Sequence, residues 1–289
     1  GVRPWQPAAR TSDANSTSPT ETGAPADAPI VNLPSEIPLD TVSEQRLPLN
    51  GSGASRQPDY ATGNPHGDDA LVARASPAEK PFAAIEPAAR SLCDNGVFTS
   101  AWMAKHPDVW QPSTEVVFAE KSPTWQDVSH WLGGLSFEIY YDYGGRLTVD
   151  RDAVLLDGLR VAQAPAYAEY ARGLANQGRA TSAGDSRWLN LGSFVAAPPY
   201  GPAELALQLV IDPAGVVRGN AVSLTGDETH PVFGAINRET QRIAWCVGDG
   251  SEFVFDTGLV NLTKESAPLL FHAESAESQT WRIARLADS

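Results

Sequence analysis

Five histidines, two cysteines and a scatter of aspartates are the side chains in this sequence that could bind a metal or move a proton. His106 and His130 would need further His, Cys or carboxylate ligands at fixed spacing to hold zinc, and none stands near them. His106 precedes Pro107 at the end of one apolar stretch and His130 lies within another, so a helix cap and a solvated side chain suit them better. Asp142, Asp150, Asp152 and Asp157 are close enough in sequence to suggest calcium or an acid–base pair. A calcium loop of the EF-hand kind needs alternating ligands, a central glycine and a closing glutamate, and Asp150-Arg151-Asp152 lacks the last two. Turn chemistry beside glycines accounts for these aspartates.

Cys93 and Cys246 are too few and too far apart for a disulfide framework or a CxxC metal site. Paired, they would staple the start of the folded region to the C-terminal sheet and add about 4–5 kcal/mol in the chain-entropy model; two unrelated thiols is the simpler reading. There is no GxSxG, HExxH, GxxxxGK, GxGxxG or CxxCH string, and the histidines have no carboxylate or thiol partner by spacing. The sequence therefore predicts no catalytic residue, no metal and no cofactor. An enzyme with dispersed catalytic residues is the reading furthest from these observations.

The elements that must position these side chains are unevenly distributed. Only Trp5, Tyr60 and Phe82 among the chain's 8 Trp, 7 Tyr and 9 Phe precede residue 91, against 13 of its 23 prolines. A segment so poor in large apolar groups cannot offset its ordering entropy by burial, which predicts a disordered or extended arm over 1–92. Within it Ile30, Val31, Leu33, Ile37 and Leu39 alternate with prolines and suit an extended segment lying along a partner's groove. The formal net charge of −14, with lysines only at 80, 105, 121 and 264, argues against nucleic acid and anionic lipid as partners. No apolar run approaches the roughly 18 residues of a membrane span. The chain opens at Gly1 with neither a methionine nor a signal-peptide pattern, which fits a removed export signal or a trimmed N-terminus.

Residues 93–180 read as short helices and two β-hairpins. Val97 to His106 forms one helix; a second starts at Ser122-Pro123, carries Trp125, Val128, Trp131 and Leu132, and stops at Gly133-Gly134. The hairpins turn at Gly144-Gly145 and Asp157-Gly158, and Ala166 to Asn176 is a third helix.

Residues 181–289 carry eight apolar segments: Trp188–Val195, Leu205–Ile211, Val216–Leu224, Val232–Ile236, Gln241–Val247, Glu252–Val260, Leu269–Ala273 and Thr280–Leu286. Short turns such as Asp212-Pro213-Ala214-Gly215 and Asp249-Gly250 predict a meander of sequential antiparallel pairs. Leu205, Leu207, Leu209 and Ile211 share one face, as do Ile243, Trp245 and Val247; Arg242, Glu252 and Arg282 take the other. Glycines at 192, 219, 234 and 258 permit the coiling that closes such a sheet into a barrel. The fold class is thus mainly β with a few short helices, ending in an eight-stranded antiparallel barrel. Such an interior is just filled by side chains or holds one small ligand, with Trp188, Trp245 and Trp281 as candidate wall residues in the second case. His272 is ambiguous in face and by itself supports no mechanism.

His106-Pro-Asp-Val-Trp110, Ile139-Tyr-Tyr-Asp-Tyr-Gly144, Leu189-Asn-Leu-Gly-Ser-Phe194, Thr240-Gln-Arg-Ile-Ala-Trp-Cys-Val-Gly248, Thr257-Gly-Leu-Val-Asn-Leu-Thr263 and Trp281-Arg-Ile-Ala-Arg-Leu286 together resemble a family of uncharacterised secreted or cell-surface proteins of planctomycete-type bacteria, over about residues 93–286. The resemblance implies export and an envelope location, and carries no activity. Where the family has a Tyr-Val-Asp-Gly hairpin this chain has Leu155-Leu156-Asp157-Gly158. The strand order also resembles avidin-like and lipocalin-like barrels in architecture alone. The functional expectation is a non-catalytic extracellular or envelope module for structure, protein–protein association or self-association. A small-molecule carrier is the alternative.

Overall fold

The computed structural model of the chain describes residues 80–112, 116–117, 122–182, 187–226, 228–250, 252–274 and 277–287. Ile30, Val31, Leu33, Ile37 and Leu39, with the rest of the expected arm before Lys80, lie outside them.

Helix α1 (Ile85–Asp94) falls inside the stretch that composition assigns to the arm. Ile85 and Leu92, seven residues apart and so on one helical face, are buried beside Val195, Ala197, Ala206 and Leu286 of the barrel's outer wall. The domain boundary therefore precedes α1 and does not fall at residue 93. Helix α2 (Ser100–Lys105) is capped by Thr99, whose Oγ1 accepts from the Trp102 amide. His106 closes it as expected of a cap, with Nδ1 2.8 Å from the Trp102 carbonyl and its ring stacked on that indole.

Strand β1 (Val116–Val117) runs parallel to the start of the barrel. Helix α3 (Trp125–Trp131) begins two residues later than Ser122-Pro123 suggests, because Thr124 and Asp127 form a reciprocal capping box. Strands β2 (Leu147–Val149), β3 (Ala153–Leu156) and β4 (Leu159–Gln163) make a separate three-stranded sheet in that order. The Asp157-Gly158 hairpin is present. The Gly144-Gly145 hairpin is not: residues 137–142 join no strand, and Tyr143 makes an isolated bridge to Leu147. Helix α4 (Ala164–Ala180) follows, with Pro165 in its first turn.

The remaining strands are β5 (Trp188–Ala197), β6 (Leu205–Ile211), β7 (Val216–Ser223), β8 (Thr229–Asn237), β9 (Arg242–Val247), β10 (Phe253–Gly258), β11 (Ser266–Ala273) and β12 (Gln279–Arg285). Each pairs antiparallel with the next, and β12 returns to β5 through Ile283–Ala196 and Arg285–Phe194. The sheet is a closed eight-stranded barrel, with no edge left unpaired. Its lumen is filled. Leu207, Leu209, Ile243, Trp245, Phe255, Leu269, Phe271, Trp281 and Ile283 form one buried cluster, with Val128 of α3 and Leu132 at its C-terminal cap packed into it. The rings run in sequence across it: Trp245–Phe255 at 6.0 Å, Phe255–Phe271 at 5.1 Å and Phe271–Trp281 at 4.9 Å.

The outer wall is covered as well. Alternation suggests a one-sided core, yet Ala171, Leu174 and Ala175 of α4 bury Ala235, Ala244, Cys246 and Val254 on the outside of β8, β9 and β10. Backbone contact makes this close approach possible: a Cβ on Gly178 would sit 1.8 Å from the Gly234 carbonyl oxygen. Gly178→Ala should accordingly cost at least 2 kcal/mol through overpacking. Gly173→Ala, on the same helix with nothing within 4 Å, should instead raise stability by up to about 1 kcal/mol. Urea midpoints of the two variants check the pair, and equal shifts would contradict the docking of α4.

Candidate functional site in the barrel wall

Three charged or titratable side chains point outward from consecutive strands beneath α4. Arg242 of β9, Asp256 of β10 and His272 of β11 alternate with the inward Ile243, Phe255 and Phe271, and are 3%, 0% and 0% exposed. Arg242 Nη2 forms an ion pair with Asp256 Oδ2 and donates to the Tyr167 carbonyl at 3.1 Å. The guanidinium also lies over the Tyr167 ring, 3.5 Å from its centroid, which ties the barrel to α4 through a cation–π contact. His272 Nε2 is 3.3 Å from Asp256 Oδ2, and its Nδ1 is 2.6 Å from Ser278 Oγ. Ser278 sits half-buried before β12. Nε2–H donating to the carboxylate leaves Nδ1 to accept the serine proton.

Burial pushes the Asp256 carboxyl up, but the Arg242 charge and the His272 hydrogen bond outweigh it and hold the group below its ordinary value. Burial raises the phenols alongside it. Tyr141 reaches about 12, and Tyr143 and Tyr167, whose hydroxyls meet at 2.7 Å, go higher. They stay neutral and act only as hydrogen-bonding groups. The arrangement can therefore do two things: lock α4 to the wall, and relay a proton from Ser278 through His272 beside a carboxylate held below its ordinary pKa.

Side-chain amides hold the neighbouring segments by imitating a strand partner. Asn261 accepts from the Tyr141 amide at 3.0 Å and donates to its carbonyl at 2.8 Å. Gln241 accepts from Ile139 N–H at 3.1 Å and donates to the Phe137 carbonyl at 2.7 Å, and Asn220 makes the same pair of bonds with Trp110, both at 2.9 Å. The Gln241 and Asn261 bonds hold residues 137–142 in place without their joining a sheet.

The residues singled out by sequence are dispersed. Trp245 and Trp281 are buried in the filled lumen, whereas Trp188 packs outside it against Trp110 at 5.3 Å. The three do not share a wall. Cys93 is exposed on α1 and Cys246 buried under α4, both as free thiols. His130 is exposed, Asp157 pairs with Arg146 at 2.5 Å, and Asp142 accepts from the Arg146 amide in its turn. Among the described residues no three His, Cys, Asp or Glu side chains are placed to hold a metal ion, and no helix is long and apolar enough to cross a membrane. The quartet Arg242, Asp256, His272 and Ser278 was missed by spacing because its members meet only through strand register. The available signal was an aspartate between Phe255 and Thr257 in an apolar strand. Compared with known protein families, curated proteins and solved structures, the chain matches none.

Two buried groups among the described residues make stability fall with acid. His230 is buried with neither ring nitrogen hydrogen-bonded, and desolvation lowers its pKa despite Glu228 and Asp249 nearby. The unfolded chain therefore takes up a proton first as pH falls below 6.5. Asp256, depressed from 3.8, contributes stability that is present above that value and lost as pH falls through its lower folded value. Urea unfolding from pH 7 downward should show both losses, the first absent in His230→Gln. At pH 7 Asp256→Asn should cost about 3–5 kcal/mol by leaving Arg242 unpaired, while Arg242→Met with Asp256→Leu should recover most of it. A cost below 1 kcal/mol for the single variant would contradict the buried pair.

Proposed function

We propose that this protein is a structural and protein-interaction module of the bacterial envelope, working through its outer surface. The filled lumen carries this reading. A barrel with Trp245, Phe255, Phe271 and Trp281 in contact across its interior has no room there for a carried molecule. The buried charges of the wall serve to attach α4, which is an architectural use. What remains available to a partner is the exterior, where Phe137, Tyr140, Leu159, Val161 and Tyr200 expose apolar side chains, Leu159 to 73%. Export and the envelope rest on the resemblance of the motif string from His106 to Leu286. The acidic balance favours a neutral or basic partner.

Sedimentation velocity over a wide concentration range, with co-sedimentation on purified envelope fragments, tests the proposal. The protein should self-associate or bind the fragments saturably, and Phe137→Ser with Leu159→Asp should weaken that several-fold without changing the circular dichroism. A strict monomer that stays in the supernatant would overturn it.

A further inference from the structure

The structure assigns Ser278 as an activated nucleophile, with His272 as its base and Asp256 as the group that orients the base, directed at uncharged acyl esters. The geometry is a serine–histidine–aspartate chain: Ser278 Oγ to His272 Nδ1 at 2.6 Å, and His272 Nε2 to Asp256 Oδ2 at 3.3 Å. The ring nitrogens are exchanged relative to the familiar hydrolase triad, but the roles are preserved, since one nitrogen faces the hydroxyl and the other the carboxylate. Depth is ordered in the same sense, with Asp256 and His272 fully buried and Ser278 half-buried at the surface end. Ser278 lies immediately before β12, which begins at Gln279, and its hydroxyl bonds the His272 ring.

In the acylation step Ser278 Oγ bonds to the ester carbonyl carbon while its proton passes to His272 Nδ1. The carbon–alkoxide bond then breaks, and the leaving alkoxide takes that proton and departs as an alcohol. Water can hydrolyse the acyl-serine to a free acid by the reverse proton path. Glu277 beside the serine is paired with Arg151 at 3.1 Å, but Glu274 and the strongly acidic chain disfavour anionic acyl groups. Arg242 already compensates Asp256, which weakens the carboxylate's support of a protonated imidazole. Slow acylation, close to one equivalent, is therefore expected rather than rapid turnover. The inference stands apart from the module reading, which needs no reactive serine.

The test is intact mass after incubation with an uncharged alkyl fluorophosphonate, which forms an oxygen–phosphorus bond as fluoride leaves with the serine proton. The full chain should gain a single phosphonyl adduct that peptide mapping places on Ser278. Ser278→Ala should gain none while keeping its circular dichroism, and the same chain in urea should gain none. His272→Gln should reduce labelling at least tenfold, and if it fails to fold, Arg242→Met with Asp256→Leu, which removes the orienting carboxylate without leaving a buried charge unpaired, serves in its place. No adduct on the folded chain, an adduct mapped elsewhere, or equal labelling in urea would overturn the assignment.

Discussion

An eight-stranded barrel has a lumen that side chains just fill, and the rest of this molecule follows from that constraint. Closing β12 onto β5 pairs every barrel strand on both sides, and the short β1 adds only to the start of β5. Half of the barrel's side chains then share a narrow interior, and here they are aromatic and branched aliphatic groups in mutual contact. Apart from α3, whose Val128 joins the lumen cluster, the helices the chain adds attach to the outer face. Helices α1 and α4 and the stretch around Tyr141 pack on that face, while β1 pairs with the start of β5.

Attachment to a β wall demands partners for polar groups that lose water. Two devices meet the demand. Amide side chains at Asn220, Gln241 and Asn261 supply the donor and acceptor that a neighbouring strand would have offered. Under α4 the buried Arg242–Asp256 pair is completed by a tyrosine face and a histidine, so neither charge is left uncompensated. Glycines at 178 and 234 let the helix approach until backbone meets backbone. The same wall that fixes the helix also aligns a serine, a histidine and an aspartate.

How much of this could be read in the sequence depends on which face of the barrel is considered. Period-two alternation reports the inward face directly, so β6 falls at Leu205–Ile211 as expected and the other seven strands lie where their apolar runs place them. The outward face carries no such signal when helices cover it: Arg242 looks like a surface position and His272 is ambiguous in face until strand register brings them to Asp256. Local amphipathicity failed where few large side chains were involved, as in α1, whose helix rests on Ile85 and Leu92 amid alanines. The apolar run at 137–143 looked like a hairpin arm, but side chains distant in sequence, rather than a strand partner, bind its backbone. The two cysteines, compatible with either outcome from spacing alone, are separated because one lies on α1 and the other beneath α4.

Those two thiols give the most direct measure of a barrel closed and sealed on its outer wall. With an aromatic disulfide reagent under native conditions, Cys93 should titrate at once and Cys246 should react only as fast as the whole chain unfolds, both becoming fast in urea. Two fast thiols in the native protein would contradict the seal over β9, and none at all would contradict the separation of the cysteines on which the fold depends.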